Sequence, residues 1–471
     1  MLNSLTPEIE KRLRSILPES RFAHADSRYL QEPRGRYAGQ AGLVVKPQTT
    51  NEVAALIKAA NSEKIPVIPY GGGTGLVGGQ IVQDGPVPLI ISLEKMDAVR
   101  AIYPQENVLI VEAGATLADV RKVAKDVGRL FPLSLASEGS ARIGGLLATN
   151  AGGTGVLRYG NTRDLVLGVE AVLPDGEIYS GINRLRKNNT GYDLRHLLIG
   201  AEGTLGVITV ASLKLHPVPR HEGTALFSVT SPAAALSLLA LARDQLGEAV
   251  SAFELIHRQG FEFLAETLPQ IRNPWVETPQ WTVLIEIGLP HGLDVPMAFE
   301  NLFEIALDNG LAGDALIAQS ASQSANFWTI RESIPEANRL IGSVSSHDIS
   351  VPLGSLADFI SQAGEQIATL GAFRINCFGH VGDGNLHYNV FPIAGKTRAE
   401  YTTERYQIKR LVHDLVHKMG GSISAEHGIG RLKVEDLERY GSPVKLAAMR
   451  AIKTALDPIG IMNPGAVLRI K

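Results

Sequence analysis

The stretch Pro69–Gly79, "PYGGGTGLVGG", decides how the first half of this chain is read. Six glycines fall within nine residues, directly after the apolar run "IPVIPY". Gly73–Gly78 satisfies GxGxxG in form. A dinucleotide loop of that type needs a strand before it and a helix opening from it, because the helix N-terminus meets the pyrophosphate. "IPVIPY" supplies the strand. Nothing supplies the helix: Gly79, Gly85, Pro86 and Pro88 follow, and then "LIISLE", which reads as another strand. Glycine and proline at that density do not sustain a regular helix. The nicotinamide-type reading therefore fails on its surroundings. Two readings survive. One is a flexible surface loop; the other is a run of small residues whose backbone N–H groups line an anion cradle with no helix behind it.

The flanks extend the picture. "GLVVKP" (42–47) reads as a strand, and "TTNEVAALIKAANSEK" (49–64) as a helix with Thr49 and Glu52 at capping-box spacing. With "IPVIPY" they make one βαβ unit, right-handed by the general rule. Strands are expected at 89–93 and 107–113, and a helix at 116–128. "LVLGVEAVLPDGEIYSG" gives a hairpin about Pro174-Asp175-Gly176. "DLRHLLIGAEGTLGVITVASLKLHPVP" gives a short helix, a glycine turn and a strand. Near Pro217–Pro219 the texture changes, and residues 220–375 alternate helical patterns with strands, as in an α+β domain. The end, "MRAIKTALDPIGIMNPGAVL", is a helix with a Pro/Gly-rich tail. The expected division is 1–218, then 219–455, with 456–471 returning to the first domain.

Bulk properties bound the function. The 471 residues are 45% hydrophobic and 20% charged, enough for two or more globular domains. A net charge of -3 leaves no basic surplus for nucleic acid or an anionic membrane surface. One cysteine, Cys377, excludes an intrachain disulfide and points to a reducing, cytoplasmic setting. No apolar run approaches a membrane span. The N-terminal "MLNSLTPEIEKRLRSIL" is a charged amphipathic surface helix rather than a signal peptide.

Three glycine-rich segments lie in the first domain: 71–79, 144–160 and 200–206. Each alone is ordinary turn chemistry. Together, each beside a strand, they point to backbone closing on one long ligand at several places. Thr149, Asn150 and Thr204 add short polar side chains, Arg158 a charge and Tyr159 an aromatic face.

"PYGGGTGLVGG", "GGLLATNAGG…RYGN", "AEGTLGVIT" and "LDPIGIMNPG", in that order, resemble the FAD-binding half of the vanillyl-alcohol-oxidase type flavoproteins. Within them the chain is most similar to the FAD-linked D-2-hydroxyacid dehydrogenases, which act on D-lactate, glycolate or D-2-hydroxyglutarate. The similarity runs from about residue 38 to 468. It implies an α+β fold, with a vanillyl-alcohol-oxidase type FAD-binding domain followed by an α+β substrate domain. It implies FAD held by Pro69, Gly71, Gly72, Gly73, Thr74, Gly75 and Leu76 in the first loop. In the second region it implies Ser137, Gly139, Gly144, Gly145, Thr149, Asn150, Gly152, Gly153, Arg158 and Tyr159. Glu202, Gly206, Val207, Ile208 and Asn463 complete the set. Residues 69–79 contain no histidine, so the FAD is expected to be non-covalent. Electrons would pass to an external acceptor: an electron-transfer flavoprotein, a quinone or a cytochrome. A homodimer is left open. A second class stays open too, a non-redox metalloenzyme or binding protein on a flavin scaffold, since fold does not fix function.

The polar residues concentrate in "CFGHVGDGNLHYN" (377–389) and "SAEHGIGRLK" (424–433). His380 and His387 are an odd number of residues apart, so one straight strand would send them to opposite faces. Gly382-Asp383-Gly384 between them signals a turn, so two short strands would bring both imidazoles to one site. Glu426 and His427 precede Gly428-Ile429-Gly430, which lets the backbone bend. One such histidine is more often an ordinary hydrogen-bonded side chain; two histidines with a carboxylate form a ligand set for Zn²⁺, or for Mn²⁺ or Fe²⁺. The resemblance assigns the metal to His380, His387 and Glu426, and the base to His427. It assigns substrate contacts to Arg331, which otherwise reads as a helix-face arginine, and to Asn389, which otherwise reads as a polar strand residue. Cys377 is read as core.

Two positions depart from the family pattern. Where D-2-hydroxyglutarate dehydrogenases commonly carry a lysine two residues before the aspartate matching Asp348, this chain has Ser346. Where they carry a small polar residue four positions after the arginine, it has Pro335. His347, when protonated, is the expected partial substitute for the missing cation. The combination predicts a D-lactate-like or longer D-2-hydroxy monocarboxylate as substrate, with D-2-hydroxyglutarate as the alternative.

Overall fold

The computed structural model describes residues 2–33, 35 and 37–470. The chain divides into two compact units: residues 1–152, 160–218 and 426–471 form the first, and residues 153–159 and 219–425 the second. The chain thus re-enters the first unit at Glu426, well before the 456 read from sequence texture, and 153–159 goes with the second unit.

The first unit contains two main sheets. One has the strand order Phe22–Ala23, Leu43–Val45, Leu89–Ser92, Val67–Tyr70, with its last three strands parallel. The expected βαβ unit is present, with Leu89–Ser92 lying between its two strands. Its helix, Thr50–Glu63, starts where the Thr49 hydroxyl accepts the Glu52 N–H at 3.2 Å. The Glu52 carboxylate reaches the Gln48 N–H at 2.6 Å, one residue further back than a capping box requires. The helix buries Val53, Leu56, Ile57 and Ala60 in one core with Leu43, Val45, Val67 and Leu89. After Tyr70 the next regular element is Leu89–Ser92, so the glycine loop opens no helix.

The second sheet of this unit is antiparallel, in the order Val99–Tyr103, Val108–Glu112, Val207–Lys214, Val166–Val172, Ile178–Ser180. The expected hairpin about residues 174–176 joins its last two strands. The C-terminal tail pairs back onto the first sheet, through a parallel bridge between Met462 and Val67. Asp457, fully buried, fixes that return by accepting N–H groups of Gly460, Ile461 and Met462 at 3.0, 3.1 and 2.8 Å.

The second unit is a seven-stranded, wholly antiparallel sheet. Its order is Ala312–Ile317, His221–Val229, Trp281–Leu289, Val250–His257, Arg374–His380, Asn385–Phe391, Ser345–Ser350. Antiparallel partners share a face, so the register sorts every side chain. One face carries Leu226, Leu284, Ile256, Phe378 and Phe391, and packs against helices Arg258–Thr267 and Ala321–Ile341 through Phe263, Phe327, Ile330 and Ile334. Phe263 meets Phe391 edge to face, with centroids 4.7 Å apart. Deleting such a fully buried ring costs about 3–5 kcal/mol. The other face packs Phe227 on Phe299, Tyr388 on Phe359 and His347 on His413.

Candidate active site

In the first unit the three glycine segments converge on one cavity, with about 1010 Å³ of space free of protein atoms. It is lined by Pro69, Gly71, Gly72, Gly73, Thr74, Gly75, Gly144, Gly145, Thr149, Glu202, Gly206, Val207, Ile208 and Asn463 from the expected set. The glycines are there because the loops nearly touch. A Cβ on Gly72 would sit 2.0 Å from the Ser140 carbonyl oxygen, and one on Gly71 would meet the Gly145 backbone at 3.4 Å. A side chain at Gly72 would drive loop 69–79 off the segment around Ser140, whereas Gly71 packs on Gly145 at ordinary contact distance. A cradle walled by the backbone of three loops, with Leu93 and Val207 in its lining, fits a long cofactor with phosphates and a flat ring.

Leu76, Ser137, Gly139, Asn150 and Gly152 do not line this cavity, and Gly153, Arg158 and Tyr159 belong to the second unit. Asn150 is structural: it ends helix Ile143–Thr149 in the left-handed conformation and accepts the Arg163 N–H at 2.9 Å. Arg158 donates to the Gly288 carbonyl at 2.9 Å and lies over the Tyr159 ring.

His427 also lines the cavity, which the sequence reading did not place there. Its loop is held from behind. Glu202 accepts the Ile429 and Gly430 N–H groups at 2.8 and 2.7 Å, and its carbonyl accepts from Asn463 Nδ2 at 2.8 Å. Burial pushes the Glu202 carboxyl above the usual range, against the pull of those two N–H groups. Arg431 donates to the carbonyls of Gly78 and Gly79 at 3.1 and 2.5 Å and to Asn463 Oδ1 at 2.7 Å, so it staples the base loop to the first glycine loop. Burial lowers its pKa to about 10, which leaves it charged at neutral pH. The signal for Arg431 was present in "HGIGRLK", a cation directly after two glycines. Glu426 lies against Gly152, where a Cβ would come within 2.7 Å of its Oε1.

In the second unit the helix-covered face carries the polar residues. His380 and His387 stand on adjacent paired strands joined by a turn at Val381–Asp383, as the Gly-Asp-Gly signal implied, with ring centroids 5.7 Å apart. Asp348 faces His387 across the ladder, and Ser346 faces Asn389. Asn389 Oδ1 accepts the His347 N–H at 3.3 Å. Cys377 is buried on the opposite face, as expected of a core residue, and burial pushes its thiol well above the usual range.

Arg331 projects from helix Ala321–Ile341 onto this same face. It is 5% exposed, not a solvated helix-face residue. Its Nε and one Nη donate to Glu254 Oε2, both at 2.7 Å, and its guanidinium lies 4.8 Å from the Phe378 centroid. One edge of the fork is thus engaged by Glu254.

His347 requires a correction. It is paired with Tyr388, in the layer of Cys377, and strand alternation puts it on the face away from His387 and Asn389. There it is 3% exposed, against His413 and bonded through Nε2 to Ser345 Oγ at 2.9 Å. It cannot stand in for a cation beside Ser346, whose hydroxyl instead meets that of Ser343 at 2.6 Å.

Comparison with known proteins places this geometry. The FAD binding domain model matches residues 41–181, and the FAD linked oxidase C-terminal domain model matches residues 218–467. A probable mitochondrial D-2-hydroxyglutarate dehydrogenase of Oryza sativa subsp. japonica is 37% identical over 438 residues, 92% of this chain and 76% of the relative. A D-2-hydroxyglutarate dehydrogenase of Xanthomonas citri pv. viticola is 35% identical over 423 residues, 90% of this chain and 88% of the relative. The solved structure of p-cresol methylhydroxylase superposes with a TM-score of 0.77 over 99% of both chains, at 17% identity, a likeness of fold. The fold and cradle are those of a vanillyl-alcohol-oxidase type flavoprotein, an FAD-dependent oxidoreductase. The chain belongs to the FAD-linked D-2-hydroxyacid dehydrogenase family.

Proposed function

We propose that this enzyme oxidises a D-2-hydroxy monocarboxylate to its 2-oxoacid, with non-covalent FAD in the first-unit cavity and a divalent metal, zinc first, on His380, His387 and Glu426. The observation that carries the metal is the pair of imidazoles on adjacent strands, with Nδ1 of His380 held by a buried carboxylate. Support for Glu426 comes from connectivity: the preceding residue, Ala425, donates its N–H to the Asp348 carbonyl at 3.3 Å, and Asp348 is the register partner of His387. FAD supplies a hydride acceptor, and the metal a Lewis acid for the hydroxyl and carboxylate oxygens. The chain's own residues do the rest. His427 takes the hydroxyl proton on an imidazole nitrogen. Arg331 offers its free edge to the substrate carboxylate, and Asn389 a polar contact beside it.

The substrate assignment rests on Ser346. A second carboxylate in that place would find a hydroxyl already bonded to Ser343 where relatives offer a cation. A lost charge-assisted hydrogen bond weakens such a group by about 1–3 kcal/mol. The names of the relatives favour a second reading, D-2-hydroxyglutarate. The discriminating comparison is kcat/KM across D-lactate, D-2-hydroxybutyrate, longer D-2-hydroxyacids, D-malate and D-2-hydroxyglutarate. The monocarboxylates should lead by about 5–150-fold, the equivalent of that energy. A lead for D-2-hydroxyglutarate would transfer the assignment to the second reading.

A further inference from the structure

Glu254 is the one acidic residue in the strand Val250–His257, "VSAFELIH", and its side chain is 0% exposed. A carboxylate in that position is stable only if its charge is answered. Two groups answer it. Oε1 lies 2.5 Å from Nδ1 of His380, and Oε2 accepts both Nε and Nη2 of Arg331. The permanently charged Arg331 guanidinium matches the Glu254 carboxylate.

This fixes the imidazole. A neutral histidine whose Nδ1 faces a carboxylate carries its proton there, and its lone pair is on Nε2. The ring cannot flip without breaking a charge-assisted bond. The same carboxylate fixes the guanidinium, which is clamped from its other side by the Phe378 ring, and that ring in turn packs on His387 at 5.0 Å. Glu254, Arg331, Phe378, His387 and His380 close a ring in which each member sets the place of the next.

We propose that Glu254 is a positioning residue that locks His380 in its Nε2-ligand tautomer and ties it to Arg331, so that metal affinity and the grip on the substrate carboxylate depend on one buried anion. The proposal rests on the metal reading given above. The experiment is a zinc-binding competition against a chromophoric chelator, on FAD-loaded wild type, Glu254→Gln and Glu254→Asp, with flavin content and KM measured alongside. Glu254→Gln keeps the volume but presents an amide N–H₂ to one of two donors. It should bind zinc about 10–100-fold more weakly, the usual consequence of losing a carboxylate behind a metal-bound histidine. KM should rise, and the flavin content should stay at the wild-type level. Glu254→Asp, charged but one methylene short, should fall between the two, and it decides the matter if the glutamine variant does not fold. Wild-type zinc affinity in Glu254→Gln, or in Glu254→Asp where the former is insoluble, overturns the proposal while leaving the metal reading intact. Wild-type protein that binds no zinc, manganese or iron overturns both.

Discussion

At the scale of the residue, the proposed reaction assigns the proton transfer to His427. It lines the cavity, and Glu202 and Arg431 pin its loop to the cofactor cradle. Its removal should therefore leave the cradle standing. His427→Ala is expected to lower kcat by about 10²–10⁴-fold, the range for a lost general base. Flavin content should hold, and wild-type turnover across the pH range would remove the assignment. The resemblance singled out His427, and the structure puts it on the cavity wall. Glu254 could not be read from sequence: its partners lie 77 and 126 residues away, and a single glutamate in an apolar strand carries no spacing signal. His347 was misread because a polar residue next to Asp348 looks available until strand parity is imposed.

At the scale of the element, local rules served where the signal lay within a few residues. The Thr49 cap, the hairpin at 174–176 and the turn between His380 and His387 all follow from capping or turn chemistry. One cap escaped notice because histidine seldom serves there. His257 opens helix Arg258–Thr267, with its Nδ1 accepting the Gln259 N–H at 3.2 Å. Burial, aided by the charge of Arg258, lowers its pKa from 6.5 to about 4. The unfolded chain then binds this proton between those two values and the folded chain does not. Stability linked to His257 is complete above about pH 6.5 and is lost as the pH falls through 4. His257→Asn supplies a cap without a titrating group, so its denaturation midpoint should fall less steeply than that of the wild type over this interval. Parallel pH profiles for the two proteins would show that His257 plays no part in acid sensitivity.

At the scale of the whole molecule, the fold class was legible and the path of the chain was not. Four glycine-rich motifs in order identify the cradle, because each is a short local string. The return of the chain to the first unit at Glu426 is held by Arg431 and Asn463, whose partners Gly78 and Glu202 lie 353 and 261 residues away, so composition pointed instead to the Pro/Gly tail. The same return carries His427 to the cavity and makes one enzyme of motifs that the sequence presents as separate. The central claim is that this enzyme takes a hydride from a D-2-hydroxyacid onto FAD. The most direct test is the flavin absorbance of the purified protein under anaerobic conditions, followed after adding D- or L-2-hydroxybutyrate. The account predicts rapid bleaching with the D-acid and essentially none with the L-acid. Flavin that stays oxidised with both, or that bleaches with the L-acid alone, would contradict it.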